Sequence, residues 1–267
     1  MRWDEETRVH SMSQKYLAVT AILDFRSGSI QALIAERGWS SLEPKARIGA
    51  AYDFVRNEIL FGYNNDDALP ASHVLADGYG QCNTKGTLLM ALLRALDIPC
   101  RFHGFTIDKG LQRGVVPELV YPLAPSNIIH SWVEILIDGT WINLEGFILD
   151  RDVLSALQKT FPGRTSLCAY GAGTDCLQAP PVEWVGTSTY IQKTGINHDF
   201  GVFDSPDDFF AKHRQLSGLR GLLYRLIVRH WMNRRVARIR QGHVPDIPGG
   251  ESSLVPAQEL IELKEGV

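Results

Sequence analysis

The stretch HSWVEILIDGTWINLE, residues 130–145, decides how the chain folds. It divides into two alternating runs around Asp138-Gly139, a pair that favours a two-residue type I′ hairpin because both positions tolerate positive φ. With that turn Trp132 faces Glu145 and Glu134 faces Asn143. His130 then lies diagonal to Glu145 on the same sheet face, within reach of a long side chain. The opposite face, Val133, Ile135, Ile137, Ile142 and Leu144, is apolar and reads as core.

Upstream, Tyr79-Gly80-Gln81-Cys82 follows an irregular, glycine-punctuated run from Ala71. From Asn83 the pattern becomes helical, with Leu88, Leu89, Leu92, Leu93 and Leu96 on one stripe. Asp97-Ile98-Pro99 ends that helix, and residues 100–107 have strand character. Earlier, residues 30–37 read as a short helix. Ser41 is the expected N-cap of a second, with Pro44 in its first turn, and residues 61–70 read as loop.

Downstream, residues 108–129 are expected to form a long loop, 150–160 a short helix, and 161–200 a long irregular segment of the kind often used functionally. A helix is expected from Ser205 to Leu216. Another runs from Leu219 to Arg240, with apolar Leu222, Leu223, Leu226, Ile227, Trp231, Val236 and Ile239. It carries seven arginines between 220 and 240 and no acidic residue. That pattern fits a solvated face over an apolar stripe, a dock for an anionic partner, or contact of residues 217–240 with a membrane surface, the first being favoured. Residues 243–267 form an acidic tail with a short helix expected over 257–264.

Composition narrows the class. The 267 residues are 45% hydrophobic and 21% charged, with a net charge of −3, which fits a globular protein and gives no whole-chain argument for nucleic-acid binding. No apolar run is long enough for a membrane span, and residues 1–14 lack the apolar core of a signal peptide, so a cytoplasmic protein is expected. Cys82, Cys100, Cys168 and Cys176 show no metal-ligand spacing, and neither metal nor cofactor is expected. Cys168 and Cys176 are close enough in sequence to pair, but reduced thiols are the default in a cytoplasm.

Cys82 stands out because it follows a glycine turn and opens a helix. The helix dipole and free backbone N–H groups there stabilise a thiolate and a developing oxyanion. His130 begins a strand and Glu145 is placed to orient it: nucleophile, base and orienting carboxylate. Asn143 is a weaker candidate for the orienting role. Gln81 is a candidate for lining the site and Trp132 for walling it, although a Trp on a sheet is more often simply packed. Tyr63 and Asn64 are candidate oxyanion donors. Glu134, His73, His103 and Cys100 read as structural.

Tyr79-Gly80-Gln81-Cys82, the helix to Leu96, Ile98-Pro99-Cys100-Arg101, His130-Ser131-Trp132-Val133-Glu134 and Asp138-Gly139-Thr140-Trp141 together resemble the transglutaminase-like superfamily over residues 45–150. The resemblance implies an α+β, papain-like core in which a cysteine-bearing helix packs on an antiparallel sheet. A catalytic domain over 1–210 is expected around those core motifs, with a basic amphipathic helix (211–242) and an acidic tail (243–267) outside it. Cys82 and His130 fall on the family's cysteine and histidine, and the third position, usually Asp, falls on Glu145. The implied activity is acyl transfer on an amide- or peptide-containing substrate through a thioester, with hydrolysis favoured over amide formation. A scaffold that keeps only the shape is the remaining alternative.

Overall fold

The described residues, 14–215 and 218–247 of a computed structural model, begin with helices α1 (Gly28–Arg37) and α2 (Pro44–Asn57). The short strand β1 (Leu60–Phe61) follows, then α3 (Ala71–Asp77), β2 (Tyr79–Gly80) and α4 (Cys82–Ala95). Next come β3 (Cys100–Asp108), β4 (Asn127–Ile137), β5 (Thr140–Leu144), α5 (Arg151–Thr160) and the small hairpin of β6 (Leu167–Ala169) and β7 (Ala172–Thr174). The chain ends with β8 (Ile196–Phe203), α6 (Pro206–Phe210), α7 (Gly218–Leu223), a π-helical turn over Tyr224–Val228, and α8 (Arg229–Arg240). The helix expected over 257–264 lies outside the described residues.

The main sheet is antiparallel with strand order β5-β4-β3-β8, and α4 packs against β4. This is the mixed helix and antiparallel-sheet class expected. Asp138 (φ 50°) and Gly139 (φ 76°) make the β4–β5 turn as read from the sequence. Val133 pairs with Leu144 and Glu134 with Asn143, also as read. The ladder stops there, so Trp132 and Glu145 do not pair. Glu145 instead donates its N–H to the Thr189 carbonyl at 3.0 Å, and the chain turns away from the sheet.

Several expectations are corrected. The leucine stripe of α4 is not one-sided, because every residue from Cys82 to Arg94 is buried. Helices, sheet and loops enclose it, and Lys85 is satisfied inside: its Nζ donates to the carbonyls of Arg56 and Ile148 at 3.2 and 3.0 Å. The run from Ala71 is helical up to Gly78, whose φ of 68° ends it in a left-handed cap. Glu43, not Ser41, precedes the Pro44 helix. The segment 161–200 contains β6, β7 and the start of β8. Strand β8 escaped sequence reading because Gly201 (φ 83°) and register shifts against β3 break its alternation.

The helix expected over 205–216 stops at Phe210. Beyond it, His213 stacks on Phe209 (4.8 Å between ring centres), and Gln215 accepts from the Ile129 N–H and donates to the Asn127 carbonyl. Gln215 thereby satisfies the edge of β4 beyond the reach of β5. A longer straight helix would leave those backbone groups unpaired.

The 219–240 segment also differs from its reading. Met232, Val236 and Ile239 are the buried residues of α8, whereas Leu219, Leu222, Leu223, Leu226, Ile227 and Trp231 are exposed. Polar contacts fasten the segment to the rest of the protein. Asn233 bridges the backbone of Tyr63 through both N–H and carbonyl, at 2.7 and 3.0 Å. Arg240 pairs with Asp150 at 2.7 Å, while Asp150 also caps α5 through the Val153 N–H and accepts from the Phe61 N–H. One carboxylate therefore joins β1, α5 and α8. Among the described residues no helix is long and apolar enough to cross a membrane.

Candidate active site

Cys82 is the first residue of α4, and local backbone geometry sets it there. Strand β2 pairs in parallel with β1, carrying the chain to Gly80. A side chain at Gly80 is excluded: its Cβ would lie 2.6 Å from Thr84 Oγ1 and 3.0 Å from Lys85 Cγ. The Gln81 N–H donates to Thr84 Oγ1 at 3.1 Å, starting the helix. No acidic residue occupies the first turn to offset the helix dipole at the sulfur. Cys82 is 8% exposed, and that exposure opens on a cleft lined also by Tyr63, Asp67, Asn83, Gln192 and Tyr224.

His130 lies on β4 opposite Phe105 and is fully buried. Its Nε2 is 2.7 Å from Glu145 Oε1. The other carboxylate oxygen, Oε2, accepts from the backbone N–H groups of Ile191 and Gln192 at 2.8 and 2.9 Å. A carboxylate so placed is an acceptor only, so Nε2 carries the proton in that contact. Nδ1 has no hydrogen-bonded nitrogen or oxygen among the described residues. It is left for the Cys82 sulfur. Burial lowers the affinity of His130 for a second proton, but the Cys82 charge and hydrogen bond, followed by Glu145, outweigh it and raise the pKa to about 9.

The helix and the strand are clamped together by a residue that sequence reading passed over. Asn83 Oδ1 accepts from Ser131 Oγ at 2.9 Å, and its Nδ2 donates to the Ile129 carbonyl at 3.2 Å. The neighbour of the thiol thus grips both neighbours of the imidazole. Ile191 and Gln192 were equally invisible, because they act through backbone N–H groups at the end of an irregular segment.

The remaining candidates separate. Tyr63 lines the cleft, and its hydroxyl makes no hydrogen bond among the described residues; burial, then the Cys82 charge, hold its pKa far above the usual phenol range. Asn64 is buried and spent: Nδ2 donates to Asp77 and the Tyr79 carbonyl, and Oδ1 accepts from Thr84. Gln81 lines the cleft, but its side chain spans Asn64 N–H and Asp67 Oδ1. The Asn64 amide has both N–H groups committed, and one Gln81 N–H is committed to Asp67. Trp132 packs at 4.2 Å from the Phe105 ring and donates to Glu134, away from the cleft lining. Asn143 donates to the Tyr190 hydroxyl at 2.8 Å rather than to His130.

No disulfide joins the four cysteines; Cys100 and Cys168 are buried and Cys176 is exposed. No cluster of His, Cys, Asp and Glu suited to a metal occurs among the described residues.

Residues 32–146 match the transglutaminase-like superfamily. No curated protein matches the chain. Among solved structures, one described as a "Putative Cysteine Protease" from Cytophaga hutchinsonii aligns at 15% identity and a TM-score of 0.44, covering 73% of this chain and 48% of that one. The chain therefore spans about half the length of that protein. Cys82 opening the buried helix and His130 on the strand beside it both fall within residues 32–146, the part of the chain that matches the transglutaminase-like superfamily.

Proposed function

We propose that the protein is a cysteine-dependent acyl-transfer enzyme that cleaves an amide through a thioester on Cys82, with water as the usual acceptor. The observation that carries this reading is the division of labour on His130: Nε2 is held by a carboxylate with every oxygen engaged, and Nδ1 is left without a nitrogen or oxygen partner beside a thiol at a helix N-terminus.

The steps follow from those positions. The thiol proton passes to Nδ1, and the thiolate attacks the carbonyl carbon, forming C–S while the carbonyl π pair moves to oxygen. The Cys82 and Asn83 N–H groups at the start of α4 and the Tyr63 hydroxyl would supply the donors for that oxyanion. Collapse breaks C–N, and the imidazolium returns its proton to the departing amine. A water then gives its proton to His130 as C–O forms and C–S breaks, releasing acid and thiol. An amine in place of water gives a new amide by the same route.

An activated ester, p-nitrophenyl acetate, tests this without knowledge of the natural substrate. Cys82 should be acetylated, with the site read by peptide mass spectrometry. Adding glycine methyl ester then separates the fates: free acetate alone marks hydrolysis, and N-acetylglycine methyl ester marks transfer. Acetylation confined to Cys176, or equal on all thiols, would reduce the protein to a scaffold.

A further inference from the structure

The floor of the cleft holds a carboxylate that the proposed chemistry does not use. Asp67 is only partly exposed, and its Oδ1 accepts two hydrogen bonds, from Gln81 Nε2 at 2.9 Å and Asn83 Nδ2 at 3.0 Å. Those donors are the residues on either side of Cys82, so Asp67 is fixed to the nucleophile from both flanks. Its Oδ2 accepts no hydrogen bond among the described residues. The adjacent Asp66 has a cation, Arg225, at 3.3 Å, but Asp67 has none among the described residues.

A carboxylate withdrawn from water and held only by neutral amides has an incompletely compensated charge. It faces a cleft that Tyr63 and Tyr224 also line, side chains able to stack on a cation. Anchoring Asp67 required neither free oxygen nor cleft exposure: one oxygen is clamped and the other is presented.

We infer that Asp67 is a specificity residue that binds a positively charged group, an ammonium or guanidinium, on the substrate beside the acyl carbon that Cys82 attacks. This deepens the proposed function and rests on it. Substrates with a cation next to the scissile acyl group are favoured, and those with an anion there are excluded. Arg214, which also lines the cleft, is the cation that could hold a more distant acidic portion.

Charged thiol reagents read this preference without a known substrate. Rates of Cys82 modification are compared for the cationic 2-(trimethylammonium)ethyl, anionic 2-sulfonatoethyl and neutral methyl methanethiosulfonates at fixed ionic strength. The cation-to-anion ratio, normalised to the same ratio at exposed Cys176, should exceed unity by about tenfold. Asp67→Asn, which keeps an acceptor for both amides, should bring it close to one, and Asp67→Glu should keep much of it. The neutral reagent separates the two hypotheses. Fast neutral modification with no charge preference, or a preference unchanged in Asp67→Asn, overturns the Asp67 assignment and leaves the acyl-transfer reading standing. A Cys82 inert to all three reagents overturns the reading itself.

Discussion

Two histidine–carboxylate pairs involve strand β4 of this sheet, and only one of them leaves a ring nitrogen for a thiol. His130 meets Glu145 at 2.7 Å and His103 meets Glu134 at 2.6 Å. In the second pair both ring nitrogens are taken, since His103 Nε2 also contacts Asp199 at 2.9 Å. Glu134 further accepts from Arg101 and Trp132. That network is closed. In the first pair the carboxylate is equally well satisfied, but one imidazole nitrogen is left over and a thiol lies next to it. The pair alone therefore says little about chemistry; the unspent nitrogen says much more.

The comparison is broken most severely at the reactive pair. Cys82→Ala and His130→Ala should each cut Cys82-dependent acetyl turnover by about 10⁶-fold, in the manner of groups that act as a unit. Turnover is followed by p-nitrophenol release. His103→Ala should leave that rate unchanged while costing about 1 kcal/mol of stability, read by chemical denaturation.

Glu145→Gln comes next. Its amide would offer an N–H to Nε2 and favour the tautomer with the proton on Nδ1, which blocks proton uptake from the thiol. A loss of about 10³-fold is expected, with bound-state binding little changed. Asn83→Ala removes the grip on Ser131 and Ile129 and should cost about tenfold, through misplacement rather than loss of a reacting group.

The smallest effects are on stability against pH, and they separate the pairs by sign. The His130 pKa is raised from 6.5 to about 9, so the folded state holds that proton more tightly than the unfolded chain. Its contribution is complete below about pH 6.5 and fades as pH rises through about 9. Burial pushes the Glu134 pKa up, but hydrogen bonds from His103, Arg101 and Trp132 outweigh it and lower it from 4.5 to about 2. That contribution is complete above about pH 4.5 and fades as pH falls towards 2. The denaturation midpoint of His130→Ala should converge on the parent's as pH rises through about 9, and that of Glu134→Gln as pH falls towards 2.

Much of the site's frame was legible because it follows short-range rules. A hairpin turn at Asp138-Gly139 fixes the phase of two strands, and a glycine turn before an apolar helix marks where Cys82 stands. Glu145 was identified through a cross-strand pairing that does not form, yet its side chain reaches His130 because the chain bends away at Thr189. What stayed hidden works through backbone groups or distant partners. The N–H groups of Ile191 and Gln192 have no side-chain signature. Asn83 looks like any polar residue in a helix's first turn until Ser131 and Ile129 lie beside it. The α7–α8 region misled for another reason: its apolar residues are periodic, but burial went to Met232, Val236 and Ile239, where Asn233 and Arg240 dock, and the leucines upstream face outward.

The most direct test is the rate of iodoacetamide alkylation at pH 6, resolved by residue. An ordinary exposed thiol is almost wholly protonated there. Cys82, although far less exposed than Cys176, should react at least about tenfold faster, and His130→Ala should erase that lead. Cys82 reacting no faster than Cys176, or keeping its lead without His130, would contradict a thiol activated by the imidazole beside it.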